Sequence, residues 1–271
     1  MDELAVEEPA GVPGVALQRS IEEGRNRLRR TWPSLFATGA VGGIDVFVGL
    51  IALLLIESQT HSTLLGGFGL GVGFIALVLA GSELFTENFF VPVAVVVARR
   101  ASVLSLLRLW VGTLLANLAA GWVMAALVMA ALPGVRSTAL HLGAHANHLG
   151  VGWAAFASAL LAGTVMTLMT WMERGTESVP AKLIAAMSAA FVLGAGPLQH
   201  SVVTSLEMFS ALIVGAPFGY LDWVRTASWA ALGNLIGGLG FVTILRLVQL
   251  GARGIEEVRE ATDASDPEVD T

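Results

Sequence analysis

Six long apolar segments constrain the fold of this chain more than any other feature. A helix needs roughly 20 apolar residues to cross the hydrocarbon core of a bilayer. The chain is 55% hydrophobic and only 13% charged, a balance that would expose apolar patches on a soluble domain. We therefore expect an all-α integral membrane protein of the cell membrane. The predicted spans cover residues 34–57, 64–98, 104–132, 150–172, 180–217 and 225–249.

The charged residues divide the chain into a transmembrane domain and two tails. The net charge is −6, and the acids cluster in "MDELAVEEP" at the start and "EEVREATDASDPEVD" at the end. We predict a solvated N-terminal tail at residues 1–30, a transmembrane domain at 31–250 and an acidic C-terminal tail at 251–271. The chain has no cysteine, which excludes disulfides, thiolate metal sites and thiol catalysis.

The basic residues predict the orientation in the membrane. Only Arg136 and Arg225 of the 15 Lys and Arg residues fall on one side of the six predicted spans. Loops rich in Lys and Arg stay in the cytoplasm. Both termini are therefore expected to be cytoplasmic.

The second and fifth spans are too long for one straight crossing, and polar or helix-breaking residues interrupt both. The second contains "GSELFTEN", residues 81–88, and the fifth contains "GAGPLQHS", residues 194–201. Pro197 removes a backbone donor, and the glycines loosen the helix around it. We therefore predict that helices 2 and 5 are broken.

An internal repeat relates the two interruptions. "LRLWVGTLLANLAAG" at 107–121 resembles "VRTASWAALGNLIGG" at 224–238, which aligns Asn117 with Asn234. Each repeat holds three spans, so the two halves have opposite orientations. A step of 34 residues back from each asparagine pairs Glu83 with His200. Inverted repeats with broken helices are typical of transporters and channels whose site lies near the midplane.

His200 is the strongest candidate for function, because an ionisable group at that depth is costly unless it faces protein or water. Thr86 and the free backbone around it could bind an anion. Leu84 and Phe85 could form a hydrophobic constriction, although ordinary packing explains them nearly as well. We expect structural roles for Glu83 and Glu87.

Those structural roles include capping a half-helix, pairing with Arg108 or Arg225, or forming a subunit contact. In the outer loop, His141, His145 and His148 share one face if the segment is helical. That spacing could hold zinc, but an outer vestibule is the better interpretation, and we predict no metal site. No nucleophile–base pair appears at depth, so we expect no enzyme.

The six spans, the repeat, "SELFT" in span two and "HS" after the break in span five together resemble the formate/nitrite transporter family over residues 30–250. The resemblance implies an aquaporin-like protomer, a homopentamer with one pore per subunit, and small monovalent anions as substrates. By motif match it assigns a pore loop to Leu84, Phe85 and Thr86, and the central pore histidine to His200. Phe74 and Leu70 would approach the cytoplasmic constriction.

The sequence departs from the family pattern at five positions. Leu198 and Gln199 stand where the family commonly has an aromatic residue and an acid, and Gly163 stands where an asparagine is expected. His145 takes the place of the usual vestibule lysine. Glu87 adds an acid to the loop.

These observations predict a channel or transporter for small weak-acid anions, in which His200 assists passage by donating a proton. The expected partners are the anion and the lipid bilayer, with no cofactor and no nucleic acid. A facilitator for neutral solutes such as water or glycerol remains an alternative. A non-transporting membrane scaffold is another.

Overall fold

The computed structural model describes the backbone of residues 12–251 and the side chains of residues 16–251. This part of the chain is almost entirely helical and contains no β-strand. A 3₁₀ helix (Phe85–Phe89) precedes α4, and α10 continues through a π-helical segment (Gly237–Ile244). The α-helices are α1 (Val12–Arg29), α2 (Trp32–Thr60), α3 (Thr63–Ala80), α4 (Val91–Val97), α5 (Val103–Ala131), α6 (Arg136–Leu149), α7 (Trp153–Arg174), α8 (Val179–Ala195), α9 (Ser201–Ile213) and α10 (Tyr220–Ile236).

Five of the described helices are long and apolar enough to cross a membrane: α2, α3, α5, α7 and the continuous segment Tyr220–Gly251. Large apolar side chains cover their outer surface, including Leu104 at 76% and Val248 at 70% exposure. A surface this apolar is compatible with lipid rather than with water. The chain is therefore an integral membrane protein.

Residues 12–29 lie within the predicted N-terminal tail, yet they form helix α1. This helix packs on α4. Leu17 and Ile21 are buried in a cluster with Phe90 and Trp171. The burial of this apolar face attaches α1 to the membrane domain. The two acidic stretches that end the tails, at 1–9 and 256–270, lie outside the described residues.

The chain leaves regular helical geometry at two places. Helix α3 ends at Gly81, which has a φ of 63°, a left-handed conformation that favours glycine. The backbone is extended at Leu84 before the 3₁₀ helix begins. Similarly, α8 ends at Ala195, and His200 is the extended N-cap residue of α9. Two non-helical stretches thus lie within apolar surroundings. We call residues 81–84 the first break and residues 196–200 the second break.

Helices α3 and α8 pack against each other, and a cavity lies at each end of the pair. The first is lined by Thr63 at the start of α3 and by Gly194 at the end of α8. The second is lined by Leu77 near the end of α3 and by Lys182 near the start of α8. The two helices are therefore antiparallel. We call the first the α6-side cavity, since α6 contributes to it, and the second the α1-side cavity.

Candidate functional site

A hydrogen bond between Thr86 and His200 joins the two non-helical regions. The Thr86 Oγ1 atom lies 2.8 Å from His200 Nε2. Both residues are fully buried. The residue after Thr86, Glu87, lines the α1-side cavity, and the residue before His200, Gln199, lines the α6-side cavity. The Thr86–His200 pair therefore lies where the walls of the two cavities approach each other.

The backbone of α9 favours one tautomer of the neutral His200 ring. His200 Nδ1 accepts a hydrogen bond from the Val203 N–H at 3.2 Å. A ring nitrogen that accepts carries no proton, so the proton of the neutral imidazole is assigned to Nε2. In this arrangement Nε2–H donates to Thr86 Oγ1. The same N–H is thus directed at the hydroxyl of the opposite break.

Asn117 of α5 holds the first break through three hydrogen bonds. Its Nδ2 donates to the carbonyl of Gly39 at 2.7 Å and to the carbonyl of Glu83 at 2.9 Å. Its Oδ1 accepts from the Phe85 N–H at 2.9 Å. One buried amide thereby satisfies backbone groups that the ended helix leaves open.

Asn234 of α10 makes the same three kinds of bond at the second break. Its Nδ2 donates to the carbonyls of Ala159 at 2.8 Å and Gln199 at 2.9 Å, and its Oδ1 accepts from the Ser201 N–H at 2.8 Å. The two asparagines thus occupy matching positions. The hydrogen bonds pair Glu83 with Gln199, however, one residue away from the pairing with His200 that equal spacing gave.

Beside each asparagine, one glycine allows the neighbouring helix to approach closely. A Cβ atom at Gly43 of α2 would overlap the backbone of Asn117. A Cβ atom at Gly163 of α7 would overlap the backbone of Asn234 in the same way. No side chain fits at position 163 without displacing α10. This explains why an asparagine does not occur there in this chain.

Glu83 forms a buried ion pair with helix α1. Its carboxylate lies 2.9 Å from Arg27 Nε and also contacts Arg30. Arg27 donates in addition to Asn88 Oδ1 at 3.1 Å. Burial alone would lower the pKa of Arg27, but the carboxylates of Glu83 and Glu87 raise it above its usual value. The prediction that an arginine binds Glu83 is confirmed, but the partners are Arg27 and Arg30 rather than Arg108 or Arg225.

The two arginines predicted as partners lie elsewhere. Arg108 donates to the backbone carbonyls of Leu28 and Arg30, at 2.7 and 2.8 Å. Arg225 lies 3.9 Å from Asp222 on the surface. Arg108 therefore anchors the end of α1 rather than a carboxylate. The other predicted structural role, capping, is found at Glu87, whose Oε2 accepts from the Leu84 N–H at 2.8 Å.

The four apolar residues expected to line a constriction are buried in one cluster: Leu70, Phe74, Leu84 and Phe85. Leu70 lies against the end of α8, 3.3 Å from the position that a Cβ at Gly194 would occupy. Phe85 packs edge-on against Phe89, with ring centroids 4.9 Å apart. The four residues are thus part of the main buried core, which also includes side chains of α2, α5, α7, α8 and α9.

The α6-side cavity contains the predicted vestibule residue His145 together with two carboxylates, Glu57 and Glu207. Sequence reasoning missed both carboxylates, although Glu207 lies about two helical turns after His200, inside an apolar helix. None of the described residues that line this cavity is a Lys or an Arg. In the described part of the chain, no group of His and acidic residues could hold a metal ion.

The α1-side cavity has a different charge distribution. Arg27, Arg174 and Lys182 line it, alternating with the carboxylates of Glu23, Glu87 and Glu173. This cavity thus offers cations to an anion, whereas the α6-side cavity offers none. An anion would therefore meet positively charged side chains in the α1-side cavity, but carboxyl groups and His145 in the α6-side cavity.

Comparison with known proteins connects this architecture to a family. The chain is 25% identical over 247 residues to the uncharacterized transporter YrhG of Bacillus subtilis, covering 87% of this chain and 92% of that protein. It is 25% identical over 238 residues to the formate channel BtFdhC of Bacillus thuringiensis, with 82% and 89% covered. These relatives are transporters and channels rather than enzymes.

Two solved structures share the fold. An FNT family ion channel superposes with a TM-score of 0.75 at 20% identity, over 84% of this chain and 96% of that one. A pentameric formate channel with formate bound superposes with a TM-score of 0.67 at 20% identity, over 79% and 95%. The sequence model described as formate/nitrite transporter matches residues 15–248. The chain therefore belongs to the formate/nitrite transporter family.

Proposed function

We propose that this protein conducts small monovalent weak-acid anions, such as formate or nitrite, across the membrane. The path runs from the α6-side cavity past Thr86 and His200 to the α1-side cavity. The observation that carries the proposal is the buried Thr86–His200 hydrogen bond between the two cavities. It provides an N–H and an O–H beside the buried apolar side chains of Leu84 and Phe85.

His200 can donate a hydrogen bond to an anion that has lost its water in the interior of the protein. A bare charge pays a large desolvation cost away from water unless hydrogen bonds or an opposite charge compensate it. The Nε2–H group that meets Thr86 can instead turn toward an anion oxygen. A ring that has first taken up a second proton at Nδ1 can pass the Nε2 proton to that oxygen, which restores a neutral imidazole and lets the solute cross as a neutral acid.

Leu70, Phe74, Leu84 and Phe85 form the selective barrier in this proposal. They are buried together next to the first break. An apolar constriction excludes hydrated ions and passes small solutes that can shed their water. The vestibule role proposed for His145 rests on its position in the wall of the α6-side cavity.

The matching asparagine contacts support an inverted repeat. The two halves run from α2 to α5 and from α7 to α10, and each contains one break held by one asparagine. We interpret α3 with α4, and α8 with α9, as two broken crossings, which gives six spans in an aquaporin-like arrangement. An odd number of crossings per half inverts the second half. Residues 31–250 form this domain, and both tails lie in the cytoplasm.

We further propose that the subunits assemble as a homopentamer. The solved formate channel that shares the fold is described as pentameric. Many large apolar side chains remain exposed on the protomer, among them Leu104 and Ile184. Native mass spectrometry of the detergent-extracted protein should therefore give five chains per particle.

A neutral-solute facilitator is the second candidate function. The α6-side cavity favours it, because Glu57 and Glu207 face the solute there without a Lys or Arg among the lining residues. Negative charge at one mouth repels an anion and leaves a neutral solute unaffected. The two candidates therefore differ in which solutes cross.

Flux into proteoliposomes tests both candidates. We expect formate, nitrite or hydrosulfide to enter in the wild type, and glycerol to stay outside. His200→Ala should abolish that entry, while His61→Asn, at the exposed residue that follows α2, should not change it. Entry of glycerol alone would favour the facilitator. No entry of any solute, or full anion flux in His200→Ala, would contradict the proposed function.

A further inference from the structure

The α6-side cavity holds a pair of carboxylates without a cation. Glu57, near the end of α2, and Glu207, on α9, line the same cavity. Glu57 is only 8% exposed, and its Oε2 atom has no hydrogen-bond partner. A buried polar atom without a hydrogen-bond partner requires an explanation, such as a bound proton or a ligand in the cavity.

The other groups around this cavity do not neutralise the pair. Helix α6 contributes His145 to the wall, and its His141 interacts electrostatically with Glu57. The lining residues from α3 and α8 carry no charge. The stretch before α9 adds the uncharged Pro197, Leu198 and Gln199, and α9 adds Val203 and Thr204 beside Glu207. The two imidazoles are therefore the only titratable groups that face the carboxylates from the described elements that pack around them.

Two ionised carboxylates in such a cavity would oppose the proposed transport. Like charges that share a poorly hydrated site repel each other, and the usual resolution is that one of them binds a proton. With both groups ionised, an incoming anion would meet repulsion at this mouth. With a proton bound, the same pair becomes a hydrogen-bond donor that points into the path.

We propose that Glu57 and Glu207 form a proton-exchange site, which protonates the weak-acid anion before it reaches Thr86 and His200. This inference rests on the proposed function and deepens it, because it assigns the proton donor to the carboxylate pair and leaves His200 as a hydrogen-bond donor to the neutral acid. It assigns the substrate class as weak acids whose neutral form crosses the constriction. It also makes transport depend on proton supply from the α6 side of the membrane.

The step conserves atoms and charge. The O–H bond of the protonated carboxyl breaks, and a new O–H bond forms on an oxygen of the anion. The neutral acid moves on toward His200, and a carboxylate remains in the cavity. Water on the α6 side returns a proton to the pair, so one proton crosses with each anion.

The proton site itself can be tested without transport. Infrared spectra of the reconstituted protein at neutral pH should contain the C=O stretch of a protonated carboxyl group. Glu207→Gln and Glu57→Gln should each reduce that band, whereas Glu22→Gln on the exposed face of α1 should not. An unchanged band in both cavity variants would overturn the proposal.

Proton movement in proteoliposomes tests the transfer. With a pH-sensitive dye inside the vesicles, formate addition should acidify the lumen in the wild type, and Glu207→Gln should slow this at least about tenfold. Retained acidification in Glu207→Gln and Glu57→Gln would overturn the transfer step. If formate, nitrite and hydrosulfide all fail to enter in the wild type, the proposed function is refuted and the transfer with it, while the infrared band decides the proton site separately.

Discussion

The two breaks in the helices are built alike and charged differently. Asn117 and Asn234 each bind two carbonyls and one N–H, at distances that agree within 0.1 Å for each bond type. At the first break the carbonyl belongs to Glu83, whose carboxylate is paired with Arg27. At the second it belongs to Gln199, which is neutral and whose N–H donates to Ser158 Oγ at 3.0 Å.

This difference shows how one framework serves two purposes. The asparagine fixes the backbone at both breaks, independently of the side chains there. At the first break the Glu83 carboxylate then holds helix α1, while the second break carries His200 at the start of α9. We infer that the framework sets the geometry, and that the unmatched side chains set the chemistry.

The largest effect should come from removing either asparagine. Asn117→Ala and Asn234→Ala each deprive a buried carbonyl and a buried N–H of the break of their partner, at about 1–3 kcal/mol for each group. We expect each variant to lose about 4 kcal/mol of stability, a fall on the order of 10 °C in the apparent Tm. Thermal unfolding in detergent measures it.

Asn147→Ala on α6, outside both breaks, is the matched control. It should leave the apparent Tm nearly unchanged. A large loss in only one of the two asparagine variants would show that the breaks are not equivalent.

The Arg27–Glu83 ion pair should stabilise the attachment of α1 to the first break, without a counterpart at the second break. Arg27→Met leaves the buried Glu83 with only Arg30, and losing one partner of a buried pair costs about 3 kcal/mol or more. The double variant Arg27→Met/Glu83→Gln should recover part of this loss, because it removes the uncompensated charge. Equal stability of Arg27→Met and the wild type would mean that α1 is not held by this pair.

Phe74 tests the barrier near the first break. Phe74→Ala should widen the constriction and raise the acetate-to-formate flux ratio about tenfold, since the two anions differ by one methyl group. Phe90→Ala removes an equally buried ring that packs against Trp171 away from the path. The barrier assignment fails if both variants change the ratio equally.

The smallest effect concerns Glu23, which is paired with Arg27 at 3.0 Å. Burial alone would raise the pKa of Glu23, but the Arg27 guanidinium lowers it below its usual value. The resulting stabilisation is present above the unfolded pKa of about 4.3 and is lost as pH falls through the lower folded value.

Glu23→Gln should therefore lose less than about 1 kcal/mol at pH 7, and nothing below the folded pKa. The apparent Tm measured across this pH range reports the difference. Glu22→Gln, one residue away and exposed, should behave like the wild type. A larger loss at acid pH than at pH 7 would contradict the sign.

The apolar segments were sufficient to predict an all-helical membrane protein. The predicted span 34–57 lies inside α2, and the alignment of Asn117 with Asn234 agrees with their matching hydrogen bonds. The position of His200 opposite Thr86 agrees with the expectation that the two interruptions meet. These features are local or periodic, so a single sequence carries them.

The features that sequence reasoning missed depend on contacts between distant residues. Glu83 and Arg27 are 56 positions apart, and no periodicity connects them. The one-residue error in pairing Glu83 with His200 has a similar origin. Asn234 lies 35 residues after Gln199, whereas Asn117 lies 34 residues after Glu83. Equal spacing therefore cannot align the residues of the two breaks. Glu57 and Glu207 become a pair only when α2 and α9 enclose one cavity.

Formate flux through a double-variant cycle at Thr86 and His200 tests the central claim most directly. Thr86→Val and His200→Asn should each lower flux at least about tenfold, because each removes one side of the polar pair. If the two side chains act together on one anion, the double variant should be no slower than the slower single variant. Losses that multiply in the double variant, or a Thr86→Val flux equal to that of the wild type, would contradict the account.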